Sequence, residues 1–420
     1  MQLLLSSPGV GPFIQQTAKA LYEASILHSY ATTFVSYPES TWQKSLCGMA
    51  KIFKFNLERE LQRRAITEIP LTYVHNYPWR EILRTISSKL DQDGRLTDKL
   101  WEWSTKGFDH WVANHHLGTV GGVYGYETAC LATFRAAKKQ GLATIYELPA
   151  PEHDFVANIL EQELTLYPQL RTSYYQYTQQ LQQQRTEHGR QEWELADVII
   201  VNSQFTKNSY AAAGLDMDKV RLIPLGAPPV REKLPNNSIN SDKTMQFLWA
   251  GTFSIRKGAH YLVSAWQKLQ PQEARLKVFG AMGLPENLLI NLPKSIEFFP
   301  TVPRTELVKI YQVCDVLVFP TLCDGFGMVI TEALAQGLPV ITTNCAGASD
   351  LIQDGVNGLI IPPRDTEALA AAINWCLTHP SQVKEMSTAA LKTAAQWQWS
   401  DYRQSLVANI QAGLKSAGYQ

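Results

Sequence analysis

Two short apolar runs enclose a glycine-containing loop and a helical segment, and this pattern restricts the fold more than any other part of the sequence. Val316–Phe319 precedes the segment and Val340–Thr343 follows it. Between them the sequence predicts a helix from about Gly327 to Gln336. It would end at Gly337 with Pro339 just beyond, as helix C-termini commonly do. Strand, loop, helix and strand in this order are typical of a βαβ unit in a parallel sheet.

The loop of this unit is the first candidate binding site. A loop after a parallel strand lies at the sheet edge where open α/β folds bind ligands. The N–H groups of Phe326, Gly327 and Met328 lie at the start of the predicted helix, where they can face an anion. Asp324 precedes the helix and Glu332 lies inside it, so both carboxylates can reach hydroxyl groups attached to a bound phosphate. The pattern predicts a nucleotide-sugar site; the alternative is an ordinary turn with two solvated carboxylates.

Composition limits the class of protein. The chain has 420 residues, of which 45% are hydrophobic and 18% charged, so two or three domains with large cores are expected. Lys plus Arg equals Asp plus Glu at 38 each, so the neutral charge disfavours a nucleic-acid partner. The six cysteines show no close paired spacing, which argues against a disulfide framework or a zinc site. No apolar run approaches a membrane span and no signal peptide is recognisable. A cytoplasmic protein is expected.

The strand–helix alternation begins twice along the chain. Leu3–Ser6 reads as a strand, followed by a turn at Pro8–Pro12 and a helix, and Gln246–Ala250 begins a second series. A Pro-, Asn- and Ser-rich stretch at Gly226–Ser241 separates them. We therefore predict two Rossmann-like domains with parallel sheets that face each other across a cleft. The expected boundaries are residues 1–226 for the first domain with a helical insert at about 36–116, 227–244 for the linker, 245–397 for the second domain, and 398–420 for a terminal helix that could pack back on the first domain.

A basic pair lies near the start of the second domain. Arg256 and Lys257 follow a predicted strand and precede a helix, where two cations oppose the helix dipole unless an anion binds. Arg can form two hydrogen bonds to phosphate oxygens and Lys adds a point charge. We expect the pair to bind a diphosphate, the alternative being a solvated basic turn. No acidic pair with metal-ligand spacing stands out. We therefore expect these cations, and not a metal, to neutralise the charge of the diphosphate.

Candidate residues in the first domain are fewer. Gly9 and Gly11 lie in a strand-to-helix turn where a backbone can approach a ligand closely, although a simple tight turn explains them equally well. Val123–Glu127, together with Glu147 and His153, is expected at the carboxyl ends of strands, where these residues could line the cleft. His153 is a candidate for substrate contact, although a single His is more often structural.

A basic and apolar segment occupies Lys51–Arg64. It could form an amphipathic helix that lies on a membrane surface, giving peripheral contact at the inner membrane face. A solvated basic face above a core-facing stripe is the alternative. The sequence carries no signal for the oligomeric state.

The second half of the chain resembles the family 4 retaining glycosyltransferases, which have the GT-B fold. The family signature is a carboxylate followed, after seven residues, by a glutamate. The first carboxylate belongs to the sequence Glu-Gly-Phe-Gly. The matching segments are Asp324–Glu332, Lys257-Gly258, Asp315–Pro320, Ala348–Gly358 and, more loosely, Ala196–Ser203 with Ile223–Gly226. The family often has Arg directly after the strand glycine, where this chain has Thr252, and Arg256 is the candidate for that charge. The first carboxylate is Asp324 instead of Glu, one methylene shorter.

The resemblance implies roles for individual residues. Glu332 would bind the nucleotide ribose and Asp324 the hydroxyls of the donor sugar. Lys257 would bind the diphosphate. Backbone N–H groups of Phe326, Gly327 and Met328 would face the sugar and diphosphate, while Gly9 and Gly11 would approach the donor from the other domain. The catalytic candidates are Asp324, Lys257, Arg256 and His153.

The resemblance also implies an activity. A hexose would pass from a UDP- or GDP-sugar to a hydroxyl acceptor with retention of configuration, without a metal or a permanently bound cofactor. The acceptor could be a sugar, a lipid-linked sugar or a small molecule. Two alternatives stay open: a catalytically silent GT-B subunit that scaffolds a partner enzyme, and a sugar-nucleotide epimerase.

Overall fold

The computed structural model describes residues 1–36, 64–87, 91, 93–232, 234, 244–290 and 292–419, without the side chains of Glu286 and Asn287. The predicted basic segment at 51–64, apart from Arg64, and most of the predicted linker at 227–244 lie outside the described residues.

The first half of the chain forms a seven-stranded sheet in the order β3-β2-β1-β4-β5-β6-β7. Every adjacent pair is parallel. The strands are β1 (Leu3–Ser6), β2 (Leu27–Thr32), β3 (Val74–Asn76), β4 (Gly122–Tyr126), β5 (Ala143–Leu148), β6 (Val198–Val201) and β7 (Val220–Leu222). The first six strands have the 3-2-1-4-5-6 order of a doubly wound Rossmann sheet.

The second half forms a six-stranded sheet in the order β12-β10-β8-β13-β14-β15, also parallel throughout. Its strands are β8 (Met245–Ala250), β10 (Ala274–Phe279), β12 (Ile296–Phe299), β13 (Val316–Phe319), β14 (Val340–Thr342) and β15 (Gly358–Ile360), while β9 (Phe253–Ser254) and β11 (Met282–Gly283) form a separate two-stranded ribbon. The strand order is again that of a Rossmann sheet. The predicted GT-B class, with two parallel sheets, is confirmed.

Helices connect the strands on both sheets. They are α1 (Pro12–Glu23), α2 (Pro78–Ser87), α3 (Arg95–His115), α4 (Leu131–Lys139), α5 (His153–Leu166), α6 (Ser173–Leu195), α7 (Gln204–Ala212), α8 (Ala259–Leu269), α9 (Arg304–Tyr311), α10 (Met328–Ala335), α11 (Thr366–Thr378), α12 (Pro380–Ala395) and α13 (Trp399–Ser416). Short 3-10 turns occur at Leu71–Tyr73, Pro168–Leu170, Met217–Lys219, Ile255–Lys257, Glu286–Leu289 and Gly347–Leu351.

Local sequence explains several boundaries. All four residues of β6 are buried, as expected for an apolar strand covered by helices on both faces. The Ser203 hydroxyl accepts the Thr206 N–H and caps α7, and the Asp365 carboxylate caps α11 in the same way. The terminal helix α13 packs against α1, where Arg403 lies 2.8 Å from the Glu23 carboxylate.

One expectation for the first half was incomplete. Strand β4 ends at Tyr126, so Val123–Glu127 lies at the carboxyl end of a strand as expected. The predicted helical insert at about 36–116, however, also contributes β3, which extends the sheet beyond β2. β3 has only three residues, too few for a period-2 pattern to be recognised.

The topology predicts where ligands bind. In each sheet the strand order reverses between two neighbouring strands, namely β1 and β4 in the first sheet and β8 and β13 in the second. Open α/β sheets bind ligands in the crevice outside the carboxyl ends of such strand pairs. The loops that follow β8 and β13 carry the basic pair and Asp324, so the predicted residues lie at this crevice.

Candidate functional site

The loops after β8 and β13 are packed together. The Leu322 N–H donates to the Arg256 carbonyl at 3.0 Å. Gly258 has φ 75°, and a Cβ there would lie 2.0 Å from the Pro320 carbonyl oxygen, so only glycine allows this approach. The 3-10 turn Ile255–Lys257 is thereby fixed beside the loop that leads to Asp324.

Lys257 and Asp324 form an ion pair at this junction. The Lys257 Nζ lies 3.4 Å from Asp324 Oδ2, and both side chains are 17% exposed. The other oxygen, Asp324 Oδ1, accepts the Gly327 N–H at 3.1 Å. The Lys257 ammonium also lies 5.4 Å from the centre of the Phe319 ring. Because a lysine ammonium has three donors, Lys257 can contact a ligand while it keeps its carboxylate partner.

Glu332 faces the same crevice from helix α10. Its side chain is 13% exposed, and Arg304 Nη2 lies 2.9 Å from Oε1. The Tyr311 hydroxyl donates to Oε2 at 3.1 Å. Burial raises the pKa of the Glu332 carboxyl, and the charges of Arg304 and Lys257 with the Tyr311 hydrogen bond only partly oppose this. Lys257 therefore acts electrostatically on both predicted carboxylates.

Arg256 points away from this ion pair. Its Nη1 donates to the Cys323 carbonyl at 2.7 Å, directly before Asp324. The Arg256 side chain also lines a groove of about 710 Å³ with His153 and residues of α5 and α6. Arg256 thus links the Asp324 loop to a groove that contains residues of both halves of the chain.

The start of α10 offers fewer amides than the sequence suggested. The Gly327 N–H is occupied by Asp324, and the Phe326 carbonyl accepts the Ala348 N–H at 2.6 Å. Within the described part of the chain, the N–H groups of Phe326 and Met328 have no hydrogen-bond partner. The Phe326 ring is buried, so Phe326 can offer only its backbone.

The two halves meet at Gly325. The Ser203 hydroxyl donates to the Gly325 carbonyl at 2.5 Å. A Cβ at Gly325 would lie 2.1 Å from the Pro149 carbonyl, so the loop after β5 approaches the Asp324 loop as closely as a backbone can. The cleft between the sheets is closed at this point.

Gly9 and Gly11 lie after β1, at the crevice of the first sheet. The Gly9 carbonyl accepts the Tyr30 hydroxyl at 2.6 Å. Neither glycine has a positive φ, and a Cβ at either would meet only Phe13 or Ile14 side-chain atoms at 3.5 Å or more among the described residues. The backbone and packing of their own loop therefore do not require glycine at either position.

His153 begins α5 and pairs with Glu127, the residue after β4. His153 Nε2 lies 3.0 Å from Glu127 Oε1, which also accepts the Tyr210 hydroxyl at 2.9 Å. Burial lowers the pKa of His153, but the hydrogen bond and charge of Glu127 outweigh this and raise it overall. His153 is 26% exposed at the groove that Arg256 also lines.

Glu147 was expected at the cleft, and this expectation was wrong. Its side chain is buried, with the residue 1% exposed, and accepts the Tyr124 hydroxyl at 2.6 Å. Burial raises the pKa of this carboxyl to about 7. Strand alternation turned Glu147 towards the core, and the Tyr124 hydroxyl provided a partner that the sequence did not reveal.

Sequence reasoning missed Arg304 and Tyr311. Arg304 opens α9 and Tyr311 ends it, and both contact Glu332. One sequence signal for Arg304 was available. It follows Pro303 at the start of a helix that comes after a strand, and Lys257 was identified from the same kind of position.

Among the described residues, no group of three or more His, Cys, Asp or Glu side chains is arranged to hold a metal. Nor is any described helix long and apolar enough to cross a bilayer.

Comparisons with protein sequences give consistent matches. Residues 230–393 match the family model described as glycosyl transferases group 1. A D-inositol 3-phosphate glycosyltransferase of Corynebacterium urealyticum is 32% identical over 239 residues, which cover 50% of this chain and 56% of the relative. The O-antigen chain mannosyltransferase B of Escherichia coli is 30% identical over 165 residues, which cover 37% of this chain and 45% of the relative. The chain thus spans about half the length of these curated relatives.

Solved structures resemble the whole chain. Sucrose-phosphate synthase of Thermosynechococcus elongatus has a TM-score of 0.63 at 20% identity and covers 99% of this chain and 100% of its own. Anabaena Alr3699/HepE in complex with UDP and glucose has a TM-score of 0.64 at 16% identity, and the match covers 98% of this chain and 100% of the HepE chain. At these identities the resemblance establishes the fold.

Proposed function

We propose that this protein is a retaining glycosyltransferase, because residues 230–393 match the family model described as glycosyl transferases group 1 and the chain has the GT-B fold. It moves a hexose from a nucleotide diphosphate sugar to a hydroxyl acceptor. The convergence of Lys257, Asp324 and Glu332 on the crevice between β8 and β13 carries the proposal.

Each of these residues has a proposed task. Lys257 binds the diphosphate and stabilises its charge as the bond to the sugar breaks, because a fixed cation stabilises developing negative charge. The Phe326 and Met328 amides assist at the start of α10. Asp324 binds donor-sugar hydroxyls, and Glu332 accepts hydrogen bonds from the ribose. The lone pairs of Glu332 that Arg304 and Tyr311 leave unused suit the two hydroxyls of a ribose.

Residues on the other side complete the proposed centre. Gly9 and Gly11 allow the first domain to approach the donor, while His153 and Arg256 line the adjoining groove. There the acceptor hydroxyl attacks from the face that the diphosphate leaves, and a departing phosphate oxygen takes its proton. Contact between the Pro149 and Gly325 loops reduces water access, which limits hydrolysis.

We propose a uridine or guanosine diphosphate sugar as donor. The solved HepE complexes contain UDP, UDP with glucose, or UDP-glucose, which favours uridine. The acceptor is a sugar, a lipid-linked sugar or a small molecule, and it binds in the groove between α5, α6 and Arg256.

A screen of nucleotide sugars tests the proposal. The purified protein is incubated with UDP- and GDP-hexoses, and both the released nucleoside diphosphate and the sugar product are identified. Slow release of the diphosphate, abolished by Lys257→Ala, is expected. Binding without release would favour a silent GT-B subunit. Conversion of the sugar without diphosphate release would favour an epimerase.

A further inference from the structure

A fully buried glutamate connects the two halves of the molecule on helix α5. Glu163 is 0% exposed, and its Oε2 accepts the Tyr261 hydroxyl at 2.9 Å and lies 3.0 Å from His260 Nε2. Both partners begin helix α8, which follows the Arg256-Lys257 turn. The His260 Nδ1 is buried without a described partner, so Nε2–H is the donor to the carboxylate.

The other carboxylate oxygen is held by Arg364. Arg364 Nε donates to Glu163 Oε1, and its Nη2 donates to Gln162 Oε1 at 3.0 Å. The Arg364 backbone has φ 66°, in the left-handed region that disfavours residues with a Cβ. Such a conformation is unfavourable and persists where surrounding contacts impose it. The contacts to Glu163 and Gln162 are the ones that its side chain makes across the domain boundary.

These contacts make the buried charge acceptable. Burial raises the pKa of the Glu163 carboxyl, but hydrogen bonds from His260, Arg364 and Tyr261 outweigh it and leave the pKa below its ordinary value. All three partners belong to the second half of the chain, whereas Glu163 belongs to the first. A buried carboxylate is strongly destabilising without its partners. The cluster is therefore satisfied only when α5 is docked on the second domain.

The docked helix reaches the candidate site. Its first residue, His153, lines the groove with Arg256, and α5 also packs against the Ile255–Lys257 turn. Tyr167, just beyond the helix, packs edge-on against Tyr261 at 5.7 Å between ring centres. One rigid helix thus joins the Glu163 contacts at one end to the groove at the other.

We propose that Glu163 and Arg364 are positioning residues that hold α5 on the second domain, so that His153 and the acceptor groove stay aligned with Arg256 and Lys257. This inference rests on the proposed transferase function. Among the described contacts, neither residue has a hydrogen bond or ion pair with Lys257, Asp324 or Glu332. Their loss should therefore reduce the rate of transfer and leave nucleotide binding intact, because Lys257, Asp324 and Glu332 all belong to the second domain.

Three substitutions and one control test this inference. Arg364→Gly removes the guanidinium and relieves the left-handed backbone, so it should fold. Arg364→Lys keeps the positive charge and the unfavourable left-handed backbone conformation. Glu163→Gln keeps the side-chain size. Glu367→Gln is the matched control, because Glu367 forms an exposed ion pair with Lys268 inside the second domain.

The expected kinetic result is a fall in kcat of about tenfold or more for Arg364→Gly and Glu163→Gln, since small misplacements of reacting groups cost rate steeply. The Kd for UDP should stay unchanged, and Arg364→Lys should recover part of the rate. Small-angle scattering of the ligand-free variants should give a larger radius of gyration than the wild type or Glu367→Gln. Wild-type kcat in Arg364→Gly would overturn the inference, and so would a radius of gyration equal to that of the wild type.

The two levels of proposal fail separately. If the wild type bound no nucleotide and released no diphosphate, the transferase function would be wrong, and scattering would still measure the role of Glu163 and Arg364. If the wild type transferred sugar and Arg364→Gly did so equally well, only the positioning role would be wrong.

Discussion

The Lys257 ammonium lies 3.4 Å from the Asp324 carboxylate, although the two residues follow different strands of the second sheet. β8 and β13 are neighbours at the point where the strand order reverses, so their loops meet. Burial raises the pKa of the Glu332 carboxyl on α10, and the charge of the same ammonium partly opposes this rise. One cation therefore influences two carboxylates at the crevice, an arrangement suited to a ligand with both phosphates and hydroxyls.

Lys257→Met should weaken the binding of UDP or GDP by about 10- to 100-fold, because a hydrogen bond to a charged group is worth about 1.5–3 kcal/mol. The loss should be smaller for the nucleoside monophosphate, which lacks the second phosphate. Titration calorimetry measures both. Lys268→Met, on the surface of α8, is the matched control and should bind like the wild type. Equal losses for diphosphate and monophosphate would contradict the phosphate role.

Glu332→Gln should weaken nucleoside diphosphate binding by about tenfold, because hydroxyls bind a carboxylate more strongly than an amide. A 2′,3′-dideoxy analogue lacks the hydroxyls and should bind wild type and variant equally. Glu306→Gln on α9 provides a control with the same chemical change. A similar loss for the dideoxy analogue would mean that Glu332 acts elsewhere than on the ribose.

Arg304→Met should make nucleotide binding depend on pH. Burial already raises the pKa of the Glu332 carboxyl, and Arg304 opposes this, so removing Arg304 raises the pKa further. As the pH falls, the variant carboxyl becomes protonated before that of the wild type and loses its strength as an acceptor. The dissociation constant of the variant should therefore rise at a higher pH than that of the wild type. Parallel pH profiles would refute this interpretation.

Glu147→Gln should stabilise the fold above neutral pH. The folded carboxyl has a pKa of about 7, against an ordinary value of 4.5. Between these values the unfolded chain loses its proton first, so ionisation favours unfolding as pH rises. The wild type should lose about 3 kcal/mol between pH 4 and pH 8, a loss that Gln avoids. Thermal unfolding of both proteins at pH 4 and pH 8 measures this, and a Tm gain from Glu147→Gln that is no larger at pH 8 than at pH 4 would contradict it.

Most of the fold followed from sequence pattern. Buried parallel strands such as Val316–Phe319 are apolar throughout, and helix signals at Ser203 and Gly337 are local, so both could be recognised. β3 could not be recognised, because a three-residue edge strand is too short to show a period-2 pattern.

In the candidate site, too, the residues that local sequence signals mark could be predicted. Lys257, Asp324 and Glu332 are close in sequence to the turns that position them, and the structure brings them together. The contacts of Arg304 with Glu332 and of Arg364 with Glu163 join segments far apart in the chain. No local pattern encodes such pairs, because they depend on how the elements pack.

The most direct test is a crystal structure of the protein with UDP, and with GDP if UDP does not bind. The diphosphate is predicted to lie within hydrogen-bond distance of Lys257 Nζ and the Met328 N–H, with the ribose hydroxyls on Glu332. A nucleotide bound elsewhere, or one that contacts Lys257 but lies out of reach of Glu332, would contradict the shared site.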